Sequence, residues 1–245
     1  MLHKNVQTFV IKSYECDRDF NLRLMSVFNQ FQHAADMSAE VMGVGYEACR
    51  AKGLGWVGVN YRLRVDRLPR WRDVVTLATW PSGQTAACGI REFDMTDDKG
   101  GRLLCATSQW ALLDTAKMRP VRLRQAFPDL AFIDERVLAD DFGKLPPVAR
   151  ADFVKKITID FDHLDFNDHV NNARYPVWGA QAVPADFYDA HAPEDIRISF
   201  RKPAVLGDTI VIETQMDGLQ TRHQFLSLDR KMEFALVHIA WRPKE

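Results

Sequence analysis

The chain has few of the features that mark metal, redox or membrane proteins. Its four cysteines lie in the first half without Cys-x-x-Cys spacing, so we expect reduced, partly buried thiols: Cys16, Cys49, Cys88 and Cys105. No hydrophobic run approaches the roughly 18 residues of a membrane-spanning helix, and the formal net charge of −1 favours neither nucleic acid nor membrane. We therefore expect no metal, no cofactor, and no nucleic-acid or membrane partner.

An internal repeat divides the 245 residues, a length that allows one large domain or two small ones. Asp19-Phe20-Asn21 resembles Asp165-Phe166-Asn167, an offset of 146 residues. Asp73-Val74-Val75 resembles Asp208-Thr209-Ile210, an offset of 135 residues. Because the order is the same, we predict two copies of one unit, the second about 11 residues shorter between its helix and the next strand.

Each copy has the pattern of a short lead strand, one helix and several strands. In copy one, apolar residues at i, i+3 and i+4 predict a helix that ends at Gly43. Alternating polarity and turn residues then predict strands at residues 59–65, 73–80, 86–95 and 103–114. In copy two we predict a helix at residues 173–183, followed by strands at residues 196–200, 209–216, 222–229 and 233–242.

Residues 129–150 have mixed charge and contain Pro146-Pro147, which predicts a linker between domains at residues 1–128 and 151–245. We predict an α+β fold in which an antiparallel sheet wraps one helix, twice over. A pair of unrelated α+β domains is the alternative, which the repeat disfavours.

Three polar residues at alternating positions form the candidate catalytic group: Asp165, Asn167 and His169. In an extended segment these side chains would point the same way. They offer an acceptor, an amide and a base that titrates near neutrality. A helix starting near Asn171 would add free backbone N–H groups beside them. The set suits activation of water against a carbonyl carbon.

The pattern Asp-x-Asn-x-His-Val-Asn-Asn-x-x-Tyr over residues 165–175 resembles the signature of acyl-acyl carrier protein thioesterases, which end fatty-acid synthesis. Trp56-Val57 and residues 65–75 are similar to that family's first-domain strands, and the likeness covers residues 8–242. The resemblance implies a tandem (double) hotdog fold. It also implies an acyl-chain pocket in the first domain, within residues 22–60, and the catalytic motif in the second.

The resemblance implies hydrolysis of fatty acyl-acyl carrier protein thioesters, and the mechanism we favour is direct attack of water without a covalent intermediate. Asn167 and His169 would hold the water, and His169 would accept its proton. Asp165 would orient Asn167 or favour the imidazolium. We expect the tetrahedral oxyanion to bind backbone N–H groups of Val170, Asn171 and Asn172. No Gly-x-Ser-x-Gly elbow of a serine hydrolase is present.

Two departures bear on this mechanism. Pro203 and Ala204 stand where the family often has a glutamate and, in several plant members, a cysteine. In copy one, Arg23 stands at the position that the repeat aligns with His169, and arginine is no base at neutral pH. We therefore expect chemistry in copy two only, with no cysteine nucleophile.

Several alternatives stay open. The chain could instead hydrolyse acyl-coenzyme A, act as a hotdog hydratase (whose Asp-x-Asn-x-x-His motif is one residue longer), or bind acyl thioesters without catalysis. Two arginine groups, at residues 62–72 and 119–124, are either a solvated face or a docking surface for an acidic carrier protein. We expect a bacterial cytoplasmic enzyme with acyl carrier protein as partner; a homodimer is possible.

Overall fold

The computed structural model describes residues 3–244 and divides into two compact units between Asp141 and Phe142. No helix within residues 3–244 has both the length and the apolar character needed to cross a membrane. Each unit is a hotdog, an antiparallel sheet wrapped around one helix, so the predicted tandem hotdog of the α+β class is confirmed.

Unit 1 contains one long helix, α1 (Leu24–Val41), and an antiparallel sheet. Its other elements, in chain order, are β1 (Asn5–Val10), α2 (Tyr46–Arg50), β2 (Leu54–Val65), β3 (Val74–Gln84), β4 (Cys88–Asp97), β5 (Arg102–Asp114), β6 (Arg119–Pro120) and α3 (Leu123–Ala126). The strand order in the sheet is β1-β3-β4-β5-β2, and β6 pairs with the end of β5.

The predicted apolar face of α1 forms the centre of unit 1. Val27, Phe28 and Phe31 are buried on it. The Phe31 ring stacks on Phe93 of β4 with centroids 4.5 Å apart, and Phe28 meets Tyr61 of β2 edge-on at 5.7 Å. Gly43 ends the helix region with a φ of 69°, a conformation that glycine adopts without a Cβ penalty.

Unit 2 repeats this plan of one main helix and an antiparallel sheet. Its helix, α4, spans Arg174–Ala180 and ends three residues before the predicted limit. A second short helix, α5 (Ala185–Ala190), was not predicted. The strands are β7 (Phe153–Thr158), β8 (His191–Phe200), β9 (Thr209–Asp217), β10 (Gln220–Ser227) and β11 (Glu233–Pro243), in the sheet order β8-β11-β10-β9-β7. Both β2 and β8 begin five residues earlier than predicted.

Candidate functional site

The segment of residues 165–169 is a tight turn, so the predicted extended segment with alternating side chains is wrong. The Asp165 N–H donates to the His169 carbonyl at 2.8 Å, and the Asp168 N–H donates to the Asp165 carbonyl at 3.1 Å. Asp168 adopts a φ of 60°, which reverses the chain. Asp165, Asn167 and His169 therefore belong to one turn, and they do not share the face of a strand.

Within this turn Asp165 has a structural role. Its Oδ1 accepts the Asn167 N–H at 2.8 Å, an Asx-turn bond that holds the reversal. The Asn167 side chain is exposed and the His169 ring is half-buried. Neither side chain has a hydrogen-bond partner recorded among residues 3–244. The amide and the imidazole are thus the groups of the motif that remain open to a ligand.

The turn is anchored to the segment after β8. The Val170 N–H donates to the Ala204 carbonyl at 2.9 Å, and His169 forms a bridge with Val205. Asp208 Oδ2 accepts the Val205 N–H at 2.9 Å, which fixes this segment in turn. Pro203, where the resembling family often has a glutamate, immediately precedes it. The described structure therefore supplies no carboxylate from that position.

Two of the three predicted oxyanion donors already have acceptors. The Val170 N–H bonds the Ala204 carbonyl, and the Asn171 N–H bonds the His163 carbonyl, both at 2.9 Å. α4 begins at Arg174, later than the predicted start near Asn171. Asn171 instead precedes the helix, and its Oδ1 accepts the Ala173 N–H at 2.9 Å. This geometry argues against Val170 and Asn171 as oxyanion donors. Within residues 3–244 no acceptor is recorded for the Asn172 N–H.

Two neighbours of the turn were not predicted to support it. His163 Nδ1 accepts the Asp160 N–H at 3.1 Å, and its ring meets Trp178 of α4 edge-on at 5.2 Å. Arg174 pairs with Asp162 at 2.8 Å. The Arg174 Nε is buried without a partner among the described residues. Both side chains hold the start of α4 against the residues that precede the motif.

Unit 1 contains the same turn, in a register that differs from the predicted one. The Asp17 N–H donates to the Asn21 carbonyl at 2.8 Å, and Phe20 has a φ of 63°. The Leu22 N–H donates to the Pro69 carbonyl at 2.8 Å, as Val170 does to Ala204. Bond for bond, Asp17 therefore corresponds to Asp165, an offset of 148 rather than 146 residues.

This register corrects the counterpart of the candidate base. Asn21 stands where His169 stands in unit 2, whereas Arg23 corresponds to Asn171. The Arg23 N–H donates to the carbonyl of Glu15, the last residue of a 3-10 turn at Ser13–Glu15. The Asn171 N–H donates in the same way to His163, the last residue of a 3-10 turn at Phe161–His163. The 135-residue offset of the strands is confirmed by the matching bridges Asn21–Arg70 and His169–Val205. Asn21 offers an amide and no base, so the turn in unit 1 lacks the proton acceptor.

A cavity of about 90 Å³ lies in unit 1 between α1, the strands and the segment after α3. Its walls are mainly apolar, with Ala35, Met42, Trp56, Trp110 and Phe132 among the lining residues. Two charged residues also line it, Asp36 of α1 and Arg91 of β4. No spacing in the sequence identifies these two as neighbours.

Burial alters the ionisation of the groups around this cavity. It lowers the pKa of Arg91 to about 10, although nearby Tyr61 and Asp36 oppose that change. Desolvation also raises the pKa of Asp36, although this residue is exposed to solvent at the edge of the cavity. The nearby His33 and Arg91 partly offset the rise. Burial also raises the pKa of the Tyr61 phenol. Arg91 therefore stays protonated near neutral pH despite its surroundings.

A second buried charge holds part of the predicted linker onto unit 1. Glu92 is fully buried and pairs with Arg136 at 2.7 Å. It also accepts the Ser82 hydroxyl at 2.7 Å, the Thr107 hydroxyl at 2.9 Å and the Val137 N–H at 3.2 Å. Residues 136–137 are therefore bound to the sheet of unit 1 by a satisfied carboxylate.

His223 is a fully buried histidine of unit 2 that the sequence did not distinguish. Its ring nitrogens lie 2.9 Å from the Thr214 hydroxyl and 2.8 Å from the Thr221 hydroxyl. Burial lowers the pKa of His223 to about 3, so the ring is neutral near pH 7. It lies under α4, where a Cβ on Gly179 would meet the ring at 3.4 Å. Its role is structural.

The four cysteines are free, as predicted, and they are more fully buried than the partial burial that we expected. Burial raises the pKa of Cys49 and of Cys105 to about 11, and it also raises the pKa of Cys16 and of Cys88. A thiol with a raised pKa is a poor source of the nucleophilic thiolate. The environment of each cysteine thus opposes covalent catalysis.

Several arginines of the first predicted group have partners within the chain. Arg62 pairs with Asp140 at 3.2 Å, and Arg64 pairs with Asp66 at 3.3 Å. Arg67 likewise lies 3.2 Å from Asp73. These pairs favour a solvated face with local ion pairs over a concentrated basic docking surface.

Comparison with known proteins gives matches along nearly the whole chain. Residues 3–130 match the family model described as acyl-ACP thioesterase N-terminal domain, and residues 148–243 match the acyl-ACP thioesterase C-terminal domain. A chloroplastic palmitoyl-acyl carrier protein thioesterase of Gossypium hirsutum is 28% identical over 263 residues, covering 97% of this chain. This chain spans 63% of that relative's length.

Solved structures of acyl-ACP thioesterases are also similar to this chain in fold. The 12:0-ACP thioesterase from Umbellularia californica has a TM-score of 0.87 at 26% identity and covers all of both chains. An acyl-ACP thioesterase from Bacteroides thetaiotaomicron has a TM-score of 0.88, with 98% of each chain covered. Its 15% identity supports the fold alone.

Proposed function

The chain belongs to the acyl-ACP thioesterase family, and from this membership we propose that it hydrolyses fatty acyl-acyl carrier protein thioesters to free fatty acid and carrier. The observation that carries the proposal is the turn at residues 165–169. Its sequence resembles the family signature, and its geometry leaves the Asn167 amide and the His169 imidazole without partners among residues 3–244.

In the proposed mechanism Asn167 and His169 hold a water molecule beside the thioester carbonyl carbon. His169 accepts a proton from this water as its oxygen attacks, which generates the nucleophile without a covalent enzyme intermediate. The tetrahedral intermediate then collapses, the C–S bond breaks, and the imidazolium returns the proton to the departing carrier thiolate. The Asn172 N–H is the backbone donor we assign to the developing oxyanion. Asp165 contributes by holding the turn, because its carboxylate is bonded to the Asn167 N–H.

We assign acyl-chain binding to unit 1. Its cavity has mainly apolar walls. Three of its lining residues fall within the expected region of residues 22–60, namely Ala35 of α1, Met42 just after α1, and Trp56 of β2. Unit 1 also lacks a base in its equivalent turn, since Asn21 occupies the position of His169. Acyl carrier protein is the proposed partner; the cytoplasmic location and the homodimer stay predictions.

The test is release of free carrier thiol from acyl-acyl carrier protein by the purified protein. His169→Ala should reduce kcat by at least about 100-fold, the lower end for loss of a general base. His3→Ala is the matched control and should keep parental kcat, because His3 is exposed outside the motif. A folded His169→Ala variant with near-parental kcat would contradict the mechanism.

Parallel assays distinguish the alternatives. Faster hydrolysis of acyl-coenzyme A than of acyl-acyl carrier protein would identify the protein as an acyl-coenzyme A thioesterase. Hydration of an enoyl thioester would assign a hydratase. Tight binding of acyl carriers without release of thiol would identify the protein as a binding module. Pro203, which stands where the family often has a glutamate, would then explain the missing activity.

A further inference from the structure

The cavity of unit 1 has few groups that can bind a polar ligand. The indole N–H of Trp56 donates to the Val44 carbonyl at 2.9 Å, and that of Trp110 donates to the Ser108 hydroxyl at 2.9 Å. Both lining tryptophans are therefore satisfied within the protein. Among the described lining residues, the side-chain groups that remain available to a polar ligand are the Arg91 guanidinium and the Asp36 carboxylate.

Arg91 has much unused donor capacity. A guanidinium carries five N–H donors, and Arg91 uses Nη1 for the Thr79 hydroxyl at 3.2 Å. No carboxylate of residues 3–244 lies within 4.0 Å of it. A cation beside apolar walls is costly unless hydrogen bonds compensate for its lost hydration. Its environment thus favours a ligand with an acceptor oxygen.

Asp36, a solvent-exposed residue of α1 at the edge of the cavity, supplies the complementary acceptor. Its side chain has no hydrogen bond recorded from residues 3–244, yet it interacts electrostatically with Arg91 and His33. A ligand carboxylate would satisfy Arg91 but would be repelled by Asp36. A methyl terminus would satisfy neither. A hydroxyl group can accept from the guanidinium and donate to the carboxylate at the same time.

We propose that the cavity of unit 1 binds an acyl chain that carries a hydroxyl group, with Arg91 donating to the hydroxyl oxygen and Asp36 accepting its hydrogen. The proposal rests on the proposed function, because the chain would arrive as an acyl thioester. At about 90 Å³ the cavity is smaller than an engineered cavity of roughly 150 Å³ that binds benzene. It therefore admits a short part of the chain.

The first test compares kcat/KM for saturated and hydroxylated acyl-acyl carrier proteins of equal length, with the hydroxyl moved stepwise along the chain. A hydrogen bond to a charged group predicts a preference of about 10-fold or more for one hydroxyl position. Arg91→Met and Asp36→Ala should each reduce that preference to near unity while saturated chains are still hydrolysed. Arg64→Met, an exposed change on β2 that does not line the cavity, is the control and should preserve it.

Equal kcat/KM at every hydroxyl position would overturn the proposal, as would a preference that survives in folded Arg91→Met. A stronger preference for a terminal carboxylate would also overturn it. Binding of nonhydrolysable amide analogues, measured by calorimetry, separates the two levels of argument. Hydrolysis of saturated chains without hydroxyl selectivity would refute the cavity assignment alone. Selective, Arg91-dependent binding without any thioester hydrolysis would refute the proposed function alone.

Discussion

Replacing Asp165 tests whether this carboxylate acts through its charge or through the turn it holds. Asp165→Ala removes the acceptor of the 2.8 Å bond from the Asn167 N–H. Asp165→Asn removes the charge but keeps an oxygen in the same place, and asparagine forms the same kind of turn. The two substitutions therefore separate the electrostatic role from the structural one.

The magnitudes follow from one hydrogen bond. A bond to a charged group contributes about 1.5–3 kcal/mol, and the half-buried position of Asp165 favours the lower end for Asp165→Ala. Asp165→Asn should cost less than about 0.5 kcal/mol. Because the same turn positions Asn167 and His169, loosening it should reduce kcat by about 10-fold to 100-fold in the alanine variant. In the asparagine variant kcat should change by less than about 3-fold.

The assay pairs acyl-carrier hydrolysis with urea unfolding. Asp17 provides the matched control in unit 1, since its Oδ1 accepts two N–H groups at 2.9 Å, those of Asp19 and Asn21. Asp17→Ala should destabilise the protein at least as much as Asp165→Ala and leave kcat unchanged. If Asp165→Asn folds normally but loses as much kcat as Asp165→Ala, Asp165 acts through its charge and the structural assignment fails.

Three further outcomes are expected. Asn21→Ala and Arg23→Ala should both keep parental kcat in acyl-carrier assays, because unit 1 has no base; a large loss in either folded variant would place chemistry there. A variant without cysteines should also keep its kcat, since burial raises every thiol pKa, and a trapped acyl-enzyme on one cysteine would contradict direct water attack. His223 is neutral in the folded protein, so the free energy of unfolding should fall as pH drops from 6.5 towards about 3. In urea unfolding, the His223→Gln variant should lose less stability over this pH range than the parent. An equal loss in both proteins would exclude His223 as the source.

The tandem hotdog was predictable because its signals are local. Apolar spacing along α1 and alternation along the strands depend on which residues face the core, and the same order occurs twice. Strand beginnings were less predictable. β2 and β8 extend five residues further towards their N-terminal ends, since ladder bonds with β5 and β11 stabilise residues that have no alternating pattern.

The register of the repeat could not be determined from identical residues in the two copies. Asp19-Phe20-Asn21 resembles Asp165-Phe166-Asn167, but backbone bonds pair Asp17 with Asp165 instead. The reason is that a turn is defined by its hydrogen bonds and by one residue of positive φ, and these conditions accept different side chains. Phe20 and Asp168 share that conformation without sharing chemistry.

By itself, the sequence determined that there are two related α+β units, and it located the motif that contains Asn167 and His169. Only the tertiary structure decided that Asp165 holds a turn, that Val170 and Asn171 have backbone acceptors, and that Arg91 and Asp36 line one cavity. The physical reason is distance along the chain. Periodicity reports which side chains are buried, whereas hydrogen-bond partners and cavity walls are chosen among residues that folding alone brings together.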